Sequence, residues 1–306
     1  MAKLELKTPP EHRKRVIVNT DAKNEADDQY AIVHAILSES FELHGIIAAH
    51  FGIHPGRPVE SMKASLEECH LLLKLMDLTG KIRVEPGAEK AMPDEKTPSP
   101  SPGAQLIIDE AMKDDPRPLN VLFYGPLTDM ASALLMEPRI QDRNVHVVWI
   151  GGANQHPHHG VEFNLRNDIA SANVVMRSRV ALSQVPYPLY GHFCVSHAEL
   201  IERVAPHGEI GHYLVEQLIE YNNRKSPSMA HRSLGDSPAV GVVMAPHAGK
   251  WSWQPAPEYV PVTGEARVNG QNRPIRVYET FDARFLLEDF YAKLAQFARA
   301  KEAAKR

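Results

Sequence analysis

The chain has 306 residues, enough to bury a large hydrophobic core as either one α/β domain or two smaller ones. Its formal net charge of -4 excludes the strongly basic surface that binding to a nucleic-acid backbone requires. Two cysteines, Cys69 and Cys194, indicate neither a disulfide framework nor a CxxC-type zinc site, and no run approaches the roughly 18 apolar residues of a membrane span. Since the N-terminus also lacks the apolar stretch of a signal peptide, we expect a cytoplasmic protein with no membrane partner.

Short apolar runs alternate with longer amphipathic segments along most of the sequence. Runs rich in β-branched residues predict strands at residues 15–20, 44–49, 82–85, 119–124 and 145–150. Apolar residues at helical spacing follow each run and predict helices at residues 27–38, 59–78, 104–113, 127–136 and 168–178. This alternation predicts an α/β domain with a mostly parallel central sheet of the open Rossmann type, flanked by helices.

The last third of the chain departs from this alternation. A small β excursion near the C-terminus is predicted at residues 259–262 and 275–280, and a final amphipathic helix at residues 282–299. The pattern gives no sign of a second core. We therefore predict an N-terminal extension over residues 1–14 and a single domain over residues 15–306.

The segment between the first strand and the first helix carries three carboxylates. Asp21 directly follows the strand, whereas Asp27 and Asp28 open the helix. A helix N-terminus favours acidic residues, which accounts for Asp27 or Asp28 as a cap but not for Asp21 beside them. Crowded carboxylates repel one another unless a cation is present, and a cluster with only oxygen ligands suits Ca²⁺ or Mg²⁺. The loop therefore predicts a metal site, although similar loops in Mg²⁺ phosphotransferases leave the reaction open.

Three further motifs follow in chain order. They are YGPLTDMA at residues 124–131, WIGGA at residues 149–153 with EFN and Asp168 after it, and GDSPAV at residues 235–240. Together with the acidic loop, these motifs resemble those of the inosine-uridine nucleoside hydrolases over nearly the whole chain. The resemblance implies a nucleoside hydrolase-like fold and a Ca²⁺-dependent hydrolase of N-glycosidic bonds, of the purine or pyrimidine nucleosidase type.

The resemblance also implies roles for individual residues. The calcium ion would be held by Asp21, Asp28, Thr128 and Asp236. Asp21 would in addition be the catalytic general base. The sugar of the substrate would be bound by Asp27, Asn154, Glu162 and Asn164. Because cleavage of an N-glycosidic bond passes through an oxocarbenium-like sugar, nearby carboxylates would stabilise the transition state.

Two positions depart from the pattern of these relatives. Gly235 stands where many of them carry a histidine that protonates the leaving base, and His50 begins a His-Phe-Gly turn where they offer an asparagine. Loss of a general acid costs about 10²–10⁴ in rate, so another residue serves, the leaving group needs little help, or turnover is reduced. We expect His231, in the polar and irregular stretch at residues 221–235, to be the acid and His50 to contact the substrate. Further candidates for the acid are His50 itself, His156, His158 and His159.

The acidic loop itself is two residues longer than the typical form, which would bring Asn24 or Glu25 to the site. Overall, the sequence predicts a Ca²⁺-dependent hydrolase that cleaves a ribonucleoside or a related N-riboside into base and ribose. Gly235 favours an alternative, a non-catalytic homologue that binds ribose or nucleosides with Ca²⁺, whereas the retained metal ligands favour catalysis. The resemblance further implies a homodimer or homotetramer.

Overall fold

The predicted alternation of strands and helices is present in the computed structural model, which describes residues 8–152 and 160–304. The strands are β1 (Lys14–Thr20), β2 (Phe41–Ala48), β3 (Val84–Pro86), β4 (Leu119–Phe123), β5 (Val145–Ile150), β6 (Ala181–Val185), β7 (Cys194–Ser196), β8 (His231–Ser233), β9 (Gly249–Pro255), β10 (Glu258–Tyr259), β11 (Ala266–Arg267) and β12 (Pro274–Phe281). The helices are α1 (Asp28–Leu37), α2 (Ser61–Leu75), α3 (Pro102–Ala111), α4 (Thr128–Met136), α5 (Phe163–Asn167), α6 (Ile169–Arg177), α7 (Tyr187–Tyr190), α8 (His197–Arg203), α9 (Gly208–Lys225), α10 (Ser237–Met244) and α11 (Ala283–Ala304). Short 3-10 helices lie at Pro10–His12, Pro138–Asp142 and Pro246–Ala248.

Eight strands form one central sheet in the order β3-β2-β1-β4-β5-β6-β12-β9. Neighbouring strands in this sheet are parallel, except that β9 is antiparallel to β12. After β3 the chain crosses to the other side of β1 and adds β4 there. This change of direction creates a topological switch point between β1 and β4, and ligands of open α/β sheets bind at the carboxyl ends of the strands at such a point.

Helices cover both faces of the sheet. Val16 and Val18 of β1 face one apolar cluster, which contains residues of α1, α2, α9, α10 and α11. Ile17, between them, faces a second cluster with residues of α3, α4 and α6. Because side chains alternate between the faces of a strand, both faces of β1 are buried, which explains its continuous apolar sequence.

Two buried helices, α1 and α10, begin next to the switch point and pack against each other. Almost every residue of both helices is buried, including the polar Gln29 and His34 of α1. Asp28 is the first residue of α1, and Asp236 directly precedes α10. The packing of these two helices therefore brings together two carboxylates that are more than 200 positions apart in the sequence.

The C-terminal third differs from the prediction. The run predicted at residues 275–280 is not part of a small excursion but lies inside the central sheet as β12, parallel to β6. The small β pair is formed by β10 and β11 instead. The stretch at residues 221–235 is not irregular throughout, since it includes the end of α9 and the strand β8. Within residues 8–152 and 160–304, no helix is long and apolar enough to cross a membrane.

Candidate active site

A cavity of about 710 Å³ opens at the carboxyl edge of the central sheet, at the switch point. Buried carboxylates from the acidic loop and from the start of α10 lie at its floor, and cationic, histidine and tyrosine side chains lie around its rim. The floor residues are Asp21, Asp28 and Asp236, with the partly buried Asp27 beside them. The cavity therefore has an acidic floor and a rim that carries cationic side chains.

Asp27, Asp28 and Asp236 form a cluster that could hold a metal ion. Each offers a carboxylate oxygen, and these oxygens lie within 4.8 Å of one another. Asp21 lines the same cavity, and its buried Oδ2 has no hydrogen-bond partner among the described residues. An orphaned buried oxygen beside three converging carboxylates fits a hard divalent cation, since such ions prefer oxygen ligands.

Local packing fixes the position of each carboxylate. The Thr20 hydroxyl donates to Asp28 Oδ1 over 2.5 Å, and the Gly235 N–H donates to Asp27 Oδ2 over 2.9 Å. The turn after β4 lies directly against Asp21, because a Cβ added at Gly125 would lie 2.9 Å from Asp21 Cγ. Glycine in the GPLT turn is therefore needed to leave room for the Asp21 carboxylate.

These carboxylates carry like charges and repel one another. Burial, followed by the charge of Glu25, raises the pKa of Asp27 to about 6, and burial, followed by the charge of Asp27, raises the pKa of Asp28 to about 8. Burial, followed by the charges of Asp27, Asp28 and Glu25, raises the pKa of Asp21 and of Asp236 well above the ordinary range. The cluster therefore cannot be fully ionised near neutral pH unless a cation joins it.

Glu162 and Asn164 lie on the cavity wall, held by hydrogen bonds. The buried Glu162 carboxylate accepts from the N–H groups of Gly152, Asn164 and Leu165 and from the Tyr190 hydroxyl, the last over 2.6 Å. The Asn164 amide donates to the carbonyls of Tyr124 and Ile150. These contacts fix both side chains in one orientation, as recognition of a sugar requires.

The structure does not bring Thr128 and His50 into the cavity. The Thr128 hydroxyl donates to Asp168 Oδ2 over 2.7 Å and lies 2.8 Å from His50 Nε2, so the three side chains form a separate buried network. Burial lowers the pKa of His50 to about 4, which leaves its imidazole neutral. From the same turn it is Tyr124 that lines the cavity. Its buried hydroxyl has no hydrogen-bond partner within the described part of the chain.

The other predicted residues lie on the rim or outside the described residues. His231 is exposed at the start of β8 and lines the cavity opening. Asn24 and Glu25 of the longer acidic loop also line the cavity. Asn154 and the histidines at positions 156, 158 and 159 lie outside the described residues.

Tyr190 was not predicted, and it occupies the space beside Gly235. A Cβ added at Gly235 would lie 2.9 Å from Tyr190 Cδ2 and 3.2 Å from Asp27 Oδ2. Tyr187 and Tyr190 both line the cavity and stack edge to face, with ring centroids 5.3 Å apart. Both residues belong to α7, which begins shortly after the end of β6. Recognition of that strand would therefore have placed them at the carboxyl edge of the sheet.

We predict that Gly235→His will not restore a leaving-group acid. The new side chain collides with the Tyr190 ring, and overpacking of this kind costs about 1–3 kcal/mol. Thermal unfolding should show a lower Tm, and turnover should not increase. In the double variant with Tyr190→Ala, much of the lost stability should return, as a double-mutant cycle would show. A single variant as stable as the parent and more active would contradict this account.

Comparison with known proteins gives one family. The family model described as inosine-uridine preferring nucleoside hydrolase matches residues 16–286. The chain is 29% identical over 149 residues to such a hydrolase from Crithidia fasciculata, a match that covers 46% of each chain. It is 40% identical over 75 residues to one from Leishmania major, covering 23% of each chain. The chain thus spans less than half the length of the curated relatives it matches.

Solved structures show the same fold. The purine-preferring ribonucleoside hydrolase from Gardnerella vaginalis superposes with a TM-score of 0.77 at 20% sequence identity. The match covers 94% of this chain and 100% of that structure. The central sheet and its flanking helices are therefore those of the nucleoside hydrolase structures.

Proposed function

Since the chain belongs to the inosine-uridine preferring nucleoside hydrolase family, we propose that it hydrolyses the N-glycosidic bond of a ribonucleoside or related N-riboside, releasing base and ribose. The observation that supports this most is Asp21 Oδ2, which has no partner among the described residues and lies at the floor of a cavity whose wall carries Glu162 and Asn164. A fixed base beside fixed hydrogen-bonding groups for a sugar is what hydrolysis of a riboside requires.

We propose Ca²⁺ as the ion, with Asp21, Asp28 and Asp236 as its side-chain ligands. Oxygens of Asp28 and Asp236 lie within 4.8 Å of each other, and Asp21 lines the same cavity. Ca²⁺ tolerates irregular oxygen geometries, whereas Mg²⁺ demands a near-ideal octahedron. The Thr128 hydroxyl is not proposed as a ligand, because it is bonded to Asp168. When bound, the ion supplies positive charge that keeps the carboxylates ionised and makes water easier to deprotonate.

The residues of the chain then divide the reaction between them. Asp21 Oδ2 accepts a proton from the attacking water, because this buried oxygen has no hydrogen-bond donor among the described residues. Asp27, held by the Gly235 N–H, accepts a hydrogen bond from a ribose hydroxyl. Glu162 and Asn164 bind the rest of the sugar, and the charges of the carboxylates stabilise the cation that develops on the ring.

The leaving group occupies the outer half of the cavity in this proposal. His231 is exposed on the rim there and is the proposed proton donor. The neutral and buried His50 does not serve, since it lies in the network with Thr128. Asn154 remains a proposed contact of the sugar near its 5′ end.

A panel of purine and pyrimidine nucleosides tests the proposal. Free base and ribose should appear in equal amounts, measured by chromatography and by a reducing-sugar assay. Tight nucleoside binding in calorimetry without either product would favour the non-catalytic homologue. Mg²⁺-dependent release of phosphate from phosphorylated substrates would point to a phosphohydrolase that uses Asp21 as nucleophile.

The resemblance also supports a homodimer or homotetramer in the cytoplasm. Light scattering on the purified chain tests the first part, since a monomeric mass at working concentrations would contradict it.

A further inference from the structure

The outer half of the cavity carries a set of cationic side chains with no role in the proposed reaction. They come from four separate segments that converge on the opening: Arg57 after β2, Arg166 on α5, Lys225 at the end of α9 and Arg232 on β8. Arg166 and Lys225 are exposed, whereas Arg57 and Arg232 are mostly buried. We call these four residues the cationic rim.

One carboxylate lies among them, and it does not offset their charge. Glu25 of the longer acidic loop pairs with both arginines, receiving Arg57 Nη2 on Oε1 over 3.4 Å and Arg232 Nη2 on Oε2. Arg166 and Lys225 have no ion pair within the part of the chain that the structure describes. Among the described lining residues, the outer half of the cavity thus contains four cationic side chains and one carboxylate, that of Glu25. The remaining carboxylates belong to the floor and to the wall.

The two mostly buried arginines have donors left over. Arg57 Nη1 and Arg232 Nε are buried and have no hydrogen-bond partner among the described residues. Leaving a buried charged donor unpaired is costly, so an acceptor brought by a ligand would be favoured there. Arginine is the side chain best suited to the paired oxygens of a carboxylate or a phosphate.

Aromatic rings hold these guanidinium groups in place. Arg57 and Arg166 both lie over the Phe163 ring, with Cζ 4.5 and 5.2 Å from its centroid. Arg232 lies over the Tyr221 ring at 4.4 Å. Stacking restricts the guanidinium planes and reduces the entropy that a bound anion would cost.

We propose that the substrate is an N-riboside carrying an anionic group, a carboxylate or a phosphate, that the cationic rim binds. The inference rests on the proposed function, because it assumes that the sugar lies on the acidic floor and the rest of the substrate extends toward the opening. The floor then binds the riboside and its hydroxyls, while the rim selects the substrates that bear a negative charge.

Three closely related pyrimidine ribosides test this inference: uridine, orotidine (uridine with a carboxylate on the ring) and uridine 5′-monophosphate. The parent protein should have a kcat/KM at least about tenfold higher for one of the two anions than for uridine, since about 1.4 kcal/mol corresponds to a factor of ten. Preference for orotidine places the anion on the base, and preference for the monophosphate identifies a phosphate.

The double variant Arg166→Gln/Lys225→Gln should reduce that preference by about tenfold, because both residues lack an ion pair within the described chain. Lys74→Gln, which removes a charge from the exposed side of α2, is the matched control and should keep the preference. Equal kcat/KM for all three substrates would overturn the inference and leave the proposed function intact.

If none of the three is cleaved to its free base and the corresponding sugar (ribose, or ribose 5-phosphate from the monophosphate), the proposed function fails for them. Binding measurements then test the inference. Calorimetry should then show that an anion binds more tightly than uridine to the parent but not to the double variant. Equal affinities for uridine and both anions would overturn it.

Discussion

Replacing Asp21 by asparagine should lower kcat by about 10³-fold or more while the fold is retained. Asparagine matches aspartate in shape, so it fits the space that Gly125 leaves for residue 21. Its amide cannot take a proton from water, so the Oδ2 oxygen, which has no hydrogen-bond partner in the described part of the chain, is lost as a base. Steady-state kinetics on the best substrate of the panel would measure the effect.

The same substitution should stabilise the metal-free protein. Burial and the charge of Asp28 raise the pKa of Asp21 well above its ordinary range, which means that its ionised form is disfavoured in the folded state. A neutral side chain removes that repulsion, so the Tm in the presence of a chelator should rise as activity falls. Asp114→Asn makes the same chemical change at an exposed site and should alter neither quantity. Near-normal turnover of Asp21→Asn would rule out its role as the base.

Much of the fold could be predicted because its strands are buried on both faces. β1, β4 and β5 each contain three or more consecutive apolar residues, a pattern typical of parallel sheets covered by helices. β6 was missed because its sequence, ALSQV, includes two polar residues. Ser183 lies 2.9 Å from His146 Nε2, and the Gln184 amide donates to the Gly151 carbonyl, so neighbouring segments satisfy these polar groups. Such partners are invisible in a local sequence pattern.

The acidic floor of the site was predictable for a similar reason. Asp21, Asp27 and Asp28 are close in sequence, and their mutual repulsion can be recognised without a structure. The side chain at Thr128 could not be placed in this way. It begins α4, and its hydroxyl contacts Asp168, which lies 40 positions away.

The rim depends even more on tertiary packing. Glu25 and Arg232 are 207 positions apart and meet only because β8 lies against the acidic loop. No spacing rule connects them. The polar stretch that contains Arg232 was predicted as irregular, so its contribution to the cavity became apparent only from the fold.

Removal of the metal ion should abolish turnover and destabilise the protein, increasingly so as the pH rises. The pKa of Asp27 is raised to about 6 and that of Asp28 to about 8, so the folded metal-free protein holds protons that the unfolded chain releases near pH 4. The stability that these protons confer is fully present below about pH 4 and is lost as the pH rises toward about 8. Calcium competes with the same protons, so its affinity and its stabilising effect should grow over that range.

Thermal unfolding with chelator and with calcium, measured at several pH values, tests this dependence. At about 100 times its Kd, calcium should stabilise the fold by about 2.7 kcal/mol, which corresponds to a Tm increase of about 4 °C for a domain of this size. At one fixed calcium concentration, the increase should be smallest at about pH 5, where the affinity is lowest, and should be largely absent in Asp28→Asn, which loses a proposed ligand. Calcium should also restore the turnover that chelation removes, whereas Mg²⁺ should restore less. Full activity after exhaustive chelation would exclude the metal from the mechanism. A Tm that does not change with calcium at any pH would show that Asp21, Asp28 and Asp236 hold no ion.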